Sequence, residues 1–452
     1  MQHQGILCLI PTLVVLILSI WSKRTFESLV AACVAGLLLL DGWGFFGGLT
    51  DALSKVMQDP TIGWVILVCG LFGSLIHLVV KAGGAQVFGE YVIRWVTSRR
   101  AALMTTWLMG IVIFIDDYLN ALVVGSSMKK VTDKFGVSRE MLAYIVDSTA
   151  APVCVLIPLS TWAVYVAGLL ESTGVATQGE GLQAYIQTIP YIGYGWAAVL
   201  LVPLVAMGWI PALGTMRAAE RRAAGGQPAP PDSTVMGLSE DLTVKNPHPR
   251  LEHFAVPILV LLVATIALQA DALKGVIIAV VFTVIYFEAR KVTHWRDAVD
   301  DIFDGFKTML FPLALIVMSF VLKEVNDRLG LTQYVIEKVS PWMDRRLLPV
   351  ITFLALGTIA FTTASLWGMY AIALPIVVPL AQQLGVDTWL ATGAVISAGA
   401  FGSHACFYSD ATILASAACG CNNIQHALTQ LPYVLVAAAL AAAMFLAMGF
   451  SS

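Results

Sequence analysis

Apolar runs long enough to leave water recur along the whole chain. Uninterrupted ones extend from Ile6 to Ile20, Leu29 to Leu40, Ile62 to Val80 and Gly195 to Trp209. Others run from Phe254 to Leu268, Leu273 to Phe287, Thr308 to Leu322 and Gln430 to Met448. A helix crosses the hydrocarbon with about 20 mostly apolar residues, and about ten such segments are present once the interrupted ones are included. Lipid offers the backbone no hydrogen bonds, so segments of this length must close their own as helices. The expected fold is an all-α polytopic membrane protein, multi-pass in the cell membrane, with the lipid bilayer as its first partner.

Composition narrows the function classes. The 452 residues are 58% hydrophobic and 12% charged, against about 25% charged in soluble domains. A formal charge of −3 supplies no basic field for nucleic acid, so no nucleic-acid partner is expected. Cys8, Cys33, Cys69 and Cys154 sit inside apolar runs, where cysteine acts as a small hydrophobe. Cys419 and Cys421 form the one close pair, without further Cys or His at zinc spacing. The first apolar run lacks a basic flank and a small-residue cleavage site, and reads as a retained helix.

Between Met216 and His253 the chain turns polar, with Arg217, Arg221, Arg222, Pro228-Ala229-Pro230-Pro231, Lys245 and Arg250. This reads as a solvated linker, dividing the chain into residues 1–209, a cytoplasmic linker 210–253, and residues 254–452. Short Lys/Arg-rich loops favour the cytoplasm, which places the linker and the Lys23-Arg24 turn inside and the Asp271 turn and both termini outside. The halves then begin on opposite sides, as two inverted-topology repeats would. An offset of 249 (385 minus 136) superimposes Gly136-Val137 on Gly385-Val386, Ser148 on Ser397 and Ser160 on Ser409. Two amphipathic stretches, Gly83 to Arg100 and Thr332 to Trp342, read as interfacial helices framing a moving part.

The chemistry resides in the polar interruptions. Asp116, Asp117 and Asn120 cut an apolar segment, and a carboxylate at membrane depth costs at least about 2.5 kcal/mol. Asn120 shares a helical face with Asp116; the alternative is a hydrated helix end capped by the acids. Asp147-Ser148-Thr149 precede Pro152, which should break the helix and leave carbonyls, hydroxyls and a carboxylate as hard oxygen ligands. Discontinuous helices at the midplane are where transporters hold ions, although a kink relieved by Ser and Thr gives the same pattern. The second half carries Thr363 and Ser365, then Ser403, His404, Ser409, Asp410 and Thr412. His404, between loosening glycines and followed by Asp410, is a candidate for proton coupling, with a hydrogen-bonded structural histidine as the alternative. His77 reads as a packing residue. Asp147, Ser148, Thr149 and Asp410 are the candidate Na+ ligands, and no cofactor beyond Na+ or H+ as coupling ion is expected.

Phe114-Ile115-Asp116-Asp117-Tyr118-Leu119-Asn120, Val137-Ser138-Arg139-Glu140 and Ala143-Tyr144-Ile145-Val146-Asp147-Ser148-Thr149-Ala150-Ala151-Pro152-Val153-Cys154 closely resemble the NhaC family of Na+/H+ antiporters and related exchangers. Gly399-Ala400-Phe401-Gly402, Ser409-Asp410-Ala411-Thr412 and Thr429-Gln430-Leu431-Pro432 continue the likeness. The resemblance implies inverted repeats with broken helices and paired re-entrant hairpins, an elevator-type transporter, and a homodimer. Two departures stand out. Ser403 replaces an Asp before His404, followed by Ala405-Cys406-Phe407-Tyr408 in place of Cys-Ser-Pro; Ser365-Leu366-Trp367-Gly368 replaces Thr-Ser-Trp-Gly. An acid and a hydroxyl are thus lost beside apolar and aromatic groups. This favours a Na+- or H+-coupled transporter of an amino acid or carboxylate over a Na+/H+ antiporter of bare cations. A channel would need rings of like residues along a pore. A membrane enzyme would need a nucleophile with its base, and no partner motif for one is present.

Overall fold

The computed structural model describes residues 4–22, 24–114, 116–172, 175–231, 246, 248–268, 271–339, 344–364 and 366–451, and among these it is helical with no strand. The first half comprises α1 (Ile10–Ser22), α2 (Thr25–Asp41), α3 (Phe45–Met57), α4 (Pro60–Lys81), α5 (Gly84–Trp95), α6 (Arg99–Val112) and α7 (Asp117–Lys134). It continues with α8 (Arg139–Thr149), α9 (Ala151–Cys154), α10 (Thr161–Ser172), α11 (Gly181–Thr188), α12 (Gly193–Ala206) and α13 (Met216–Ala224). The second half comprises α14 (Glu252–Ala267), α15 (Ala272–Ala289), α16 (Trp295–Thr308), α17 (Leu310–Leu329) and α18 (Leu331–Val339). Then come α19 (Leu348–Thr363), α20 (Trp367–Leu384), α21 (Thr388–Ala405), α22 (Asp410–Cys419) and α23 (Asn423–Ser451).

Among the described residues four stretches, Thr25–Met57, Ile62–Lys81, Ala272–Ala289 and Asn423–Ser451, are long and apolar enough to cross a membrane, and up to seven if each bent pair is one span. That is fewer than the ten expected from apolar runs. Several of those runs are divided by the polar interruptions into pieces shorter than a membrane. α6 and α19 stop at such breaks, and α21 meets α22 at a 43° bend. The amphipathic stretches form α5 and α18, although residues 340–343, with Trp342, lie outside the described residues.

The order of elements repeats. Arg99 and Leu348 open α6 and α19, Arg139 and Thr388 open α8 and α21, and Thr161 and Asp410 open α10 and α22, each pair 249 positions apart. Backbone detail repeats with it. Gly136 (φ 63°) and Gly385 (φ 67°) both turn left-handed, where glycine carries no Cβ penalty. The next residue then bonds five positions back, Val137 N to Thr132 O (3.1 Å) and Val386 N to Ala381 O (2.8 Å). Ser160 Oγ donates to Cys154 O and Ser409 Oγ to Ser403 O, both at 2.6 Å. Each hydroxyl also caps the helix it precedes, accepting from Ala163 N (3.1 Å) and Thr412 N (3.3 Å).

The equivalent helices α4 and α17 run in opposite directions. Lys55 in the last turn of α3, which leads into α4, pairs with Glu324 near the end of α17 (2.7 Å). Arg328 in the last turn of α17 pairs with Asp41 at the end of α2 (2.9 Å), and Lys81 at the far end of α4 pairs with Asp301 in α16, ahead of α17 (2.6 Å). The repeats are therefore inverted, and they pack reciprocally, α2 on α17 and α15 on α4. Thr25 at the start of α2 meets Asn423 at the start of α23 (3.4 Å), while Arg139 at the start of α8 reaches Gly420 O (3.3 Å). At the other end of α2, Gln4 N donates to Leu329 O (3.1 Å).

The linker is less solvated than its composition suggests. α13 buries Met216, Ala219, Glu220 and Ala223, and Glu220 accepts from Ser138 N (3.0 Å) and Ser138 Oγ (2.7 Å) at the cap of α8. Its other oxygen pairs with Arg99, and Arg222 pairs with buried Glu140 (2.7 Å). Polar side chains here satisfy helix ends instead of water. Residues 232–245, including Lys245, lie outside the described residues.

Candidate functional site

α6 stops at Val112, and Asp116 is extended (φ −150°, ψ 137°) immediately ahead of α7. Asp116 is the N-cap. Its Oδ1 accepts from Tyr118 N and Leu119 N (3.0 Å each), and its Oδ2 from Thr161 Oγ1 (3.2 Å). This is capping, as the sequence allowed, but at a site only 1% exposed. Asp117 Oδ1 accepts from Trp162 Nε1 (3.1 Å), and Tyr118 OH donates to Asp410 Oδ2 in the opposite repeat. Three helix N-termini, those of α7, α10 and α22, thus supply the residues around three buried carboxylates. The partial positive charge of helix starts makes that placement less costly than it would be elsewhere in the membrane.

α8 breaks at Ala150 (ψ −100°), with Pro152 in the first turn of α9. The carbonyls expected to be free there are largely taken up. Asp147 O accepts from Ala150 N (3.2 Å), and Thr149 O from Asn120 Nδ2 (2.8 Å). Asn120 Nδ2 also reaches Gly110 O (2.6 Å) and Ile113 O (2.9 Å), so this side chain ties the broken ends of α6 and α8 together. Thr149 Oγ1 folds back on Ile145 O (2.9 Å). A Cβ at Gly110 would strike Thr149, so only glycine lets the two breaks approach.

Asp147 is the centre of a second cluster. Its Oδ2 accepts from Gln430 Nε2 (2.9 Å), His426 Nε2 (3.1 Å) and Thr412 Oγ1 (3.4 Å). Gln430 Nε2 also bonds His404 O (2.8 Å). His404 bridges the repeats through both ring nitrogens, Nε2 to Ser148 Oγ (3.2 Å) and Nδ1 to Tyr194 OH (2.8 Å). Ser409 Oγ lies 2.9 Å from Thr412 Oγ1. Asp147 Oδ1, Ser403 Oγ and Gln430 Oε1 are buried with no hydrogen-bond partner among the described residues. A buried carboxylate oxygen without a donor is costly, and a cation ligated there would remove that cost.

The hydrogen bonds therefore sort the residues chosen from sequence. Asp147, Ser148, Ser403, His404, Ser409 and Thr412 gather around one cluster, and Asp116, Asp117 and Asp410 around the other. Asn120 and Thr149 serve the breaks. Thr363 Oγ1 bonds Ile359 O of its own helix (2.8 Å), and Ser365 lies outside the described residues. The four candidate Na+ ligands divide, since Asp410 is drawn to Tyr118 and Thr149 to its own helix. A helical hydroxyl commonly finds the carbonyl four residues back. Phe407 and Tyr408 are engaged in packing, Tyr408 OH on Thr362 O (2.8 Å) and Phe407 edge-on to Phe361.

Tyr118, Trp162, Tyr194, His426 and Gln430 were not singled out from sequence. The signal for the last two was present as two polar residues four apart, hence on one face, in a helix read as plainly apolar. His77 departs from its reading as packing alone: one ligand atom each of His77, Asp301 and Asp304 lie within 4.8 Å of one another. Lys81 Nζ already pairs with Asp301 (2.6 Å) and Asp304 (3.7 Å) there, so an ammonium already meets the two carboxylates a metal would need.

The model of the Na+/H+ antiporter family matches residues 153–450. An uncharacterized protein of Haemophilus influenzae is 29% identical over 493 aligned positions, covering 98% of this chain and 91% of its own length. Among solved structures, the YdaH transporter of Alcanivorax borkumensis aligns with 98% of this chain and 99% of its own at 14% identity, with a TM-score of 0.46. MtrF of Neisseria gonorrhoeae, described with a class of antimetabolite efflux pumps, aligns with 91% and 85% at 10% identity and a TM-score of 0.34.

Proposed function

Because this chain belongs to the Na+/H+ antiporter family, and so is a membrane transporter, we propose that it couples a Na+ or H+ gradient to movement of a small organic solute. The observation that carries this reading is the pair of buried acidic clusters at the crossing breaks. In one, Asp147 keeps an oxygen that no donor among the described residues reaches, which suits a coupling cation. In the other, Asp116, Asp117 and Asp410 stand together away from water. An ammonium group entering there would have three carboxyl groups to pair with. An amino acid, which carries such an ammonium group, is the solute class we favour over a simple carboxylate. Moving one net charge through 100 mV supplies about 2.3 kcal/mol, enough to drive such a solute uphill.

Exchange of bare Na+ and H+ is the second reading, favoured by the packing of Phe407 and Tyr408. These rings are engaged with Phe361 and Thr362, not standing as open walls for a solute. Proteoliposomes decide between the two. Weak Na+/H+ exchange without an organic solute, rising in Ser403→Asp, together with gradient-driven uptake of an amino acid, is the expected result. Robust exchange by the unmodified protein with no organic solute present would establish the bare-cation reading.

The end of the bundle bearing α13 is assigned to the cytoplasm by its Arg217, Arg221 and Arg222. All seven native cysteines are buried, so a single introduced cysteine can report its side. Arg217→Cys should label from the cytoplasmic face of oriented vesicles and Ser451→Cys from the opposite face. Labelling of both from one side would reject the assignment.

A further inference from the structure

A cavity of about 660 Å³ opens where α6 begins and α12 ends, away from both acidic clusters. Its floor is apolar, with Leu103, Met141, Val205 and Ile210, and its rim carries Arg99 and Arg100. The Arg99 guanidinium is engaged by Glu220 and Gly136 O. Arg100 is exposed and pairs with no carboxylate among the described residues. It lies across the mouth, its Nη2 3.9 Å from where a Cβ on Gly208 would stand.

The setting identifies the ligand chemistry. Trp95 at the end of α5 and Trp209, three residues past α12 and between lining residues Gly208 and Ile210, are each 74% exposed, and exposed tryptophans near helix ends mark the headgroup level of a membrane. A free cation above an apolar groove at that level complements a molecule with an anionic head and a hydrocarbon tail. We propose that this cavity binds an anionic phospholipid, its phosphate on Arg100 and an acyl chain along the more accessible Ile210 and Pro211. α6 runs from this cavity to the first break, and Glu220 links Arg99 to the cap of α8, so the lipid would brace the frame of both clusters from the membrane surface.

The test is native mass spectrometry of the full chain released in mild detergent and titrated with phosphatidylglycerol or phosphatidylcholine of equal chain length. Arg100→Gln should lower phosphatidylglycerol retention roughly fivefold, the effect of about 1 kcal/mol per basic residue near an anionic surface. Phosphatidylcholine retention should be unchanged, and Arg100→Lys should restore most of the loss. Arg94→Gln, which removes an exposed arginine outside the cavity, should retain the lipid as the unmodified protein does. Equal phosphatidylglycerol retention by Arg100→Gln, or an equal loss in Arg94→Gln, would overturn the proposal. Displacement of the lipid by equimolar inorganic phosphate would overturn it as well.

Discussion

Asp147→Asn is expected to abolish ion-driven uptake in proteoliposomes while the protein remains folded. Asparagine has nearly the shape of aspartate and keeps a side-chain oxygen that can accept from Gln430 Nε2 and His426 Nε2, which now hold Asp147 Oδ2 at 2.9 and 3.1 Å. The packing around 0%-exposed Asp147 is therefore preserved. What disappears is the carboxylate and its Oδ1, which has no partner among the described residues, the features on which the proposed cation seat rests. Removing one partner of a buried charge pair costs about 3 kcal/mol or more, so apparent cation affinity should fall by about a hundredfold or more. The measurement is solute uptake against external Na+ and against a pH gradient, beside a thermal unfolding curve. Ion-driven uptake equal to that of the unmodified protein would remove Asp147 from the site. A separate loss of folding would instead appear in the unfolding curve, so the two failures are distinguishable.

Asn120→Ala should destabilise the whole assembly rather than change its ion dependence. One amide nitrogen lies within 2.6 to 2.9 Å of Gly110 O, Ile113 O and Thr149 O, carbonyls that the breaks in α6 and α8 leave without helical partners. Each buried group left unsatisfied costs about 1 to 3 kcal/mol, so a loss of several kcal/mol is expected. Asn120→Asp should be no better, because a carboxylate has no N–H to donate. A thiol-reactive dye can follow unfolding, since the seven cysteines are all buried in the folded chain. An unfolding midpoint unchanged in Asn120→Ala would show that other groups hold the breaks.

The two substitutions mark the boundary between what is local and what is not. By itself the sequence determined that lipid is the solvent, that the helices of two halves repeat, and that they break at Asp116 and ahead of Pro152. These follow from forces acting within about 20 residues: apolar length, a proline without a donor, and serine or aspartate at a helix start. It also marked most of the acids and hydroxyls at the breaks, because a polar residue in an apolar run has few structural uses. The partnerships were decided by the tertiary structure alone. Asp410 joins Asp116 and Asp117 because Tyr118 reaches across the repeats, and Asp147 meets Gln430 and His426 from the last helix, 279 residues or more away. Asn120 and Thr149 look like ligands in sequence yet spend their polar atoms on broken backbone, and α13 folds onto α8 despite its charge. In a membrane interior backbone donors and acceptors must be satisfied within the protein, and which side chains reach the broken ends is set by how helices distant in sequence cross.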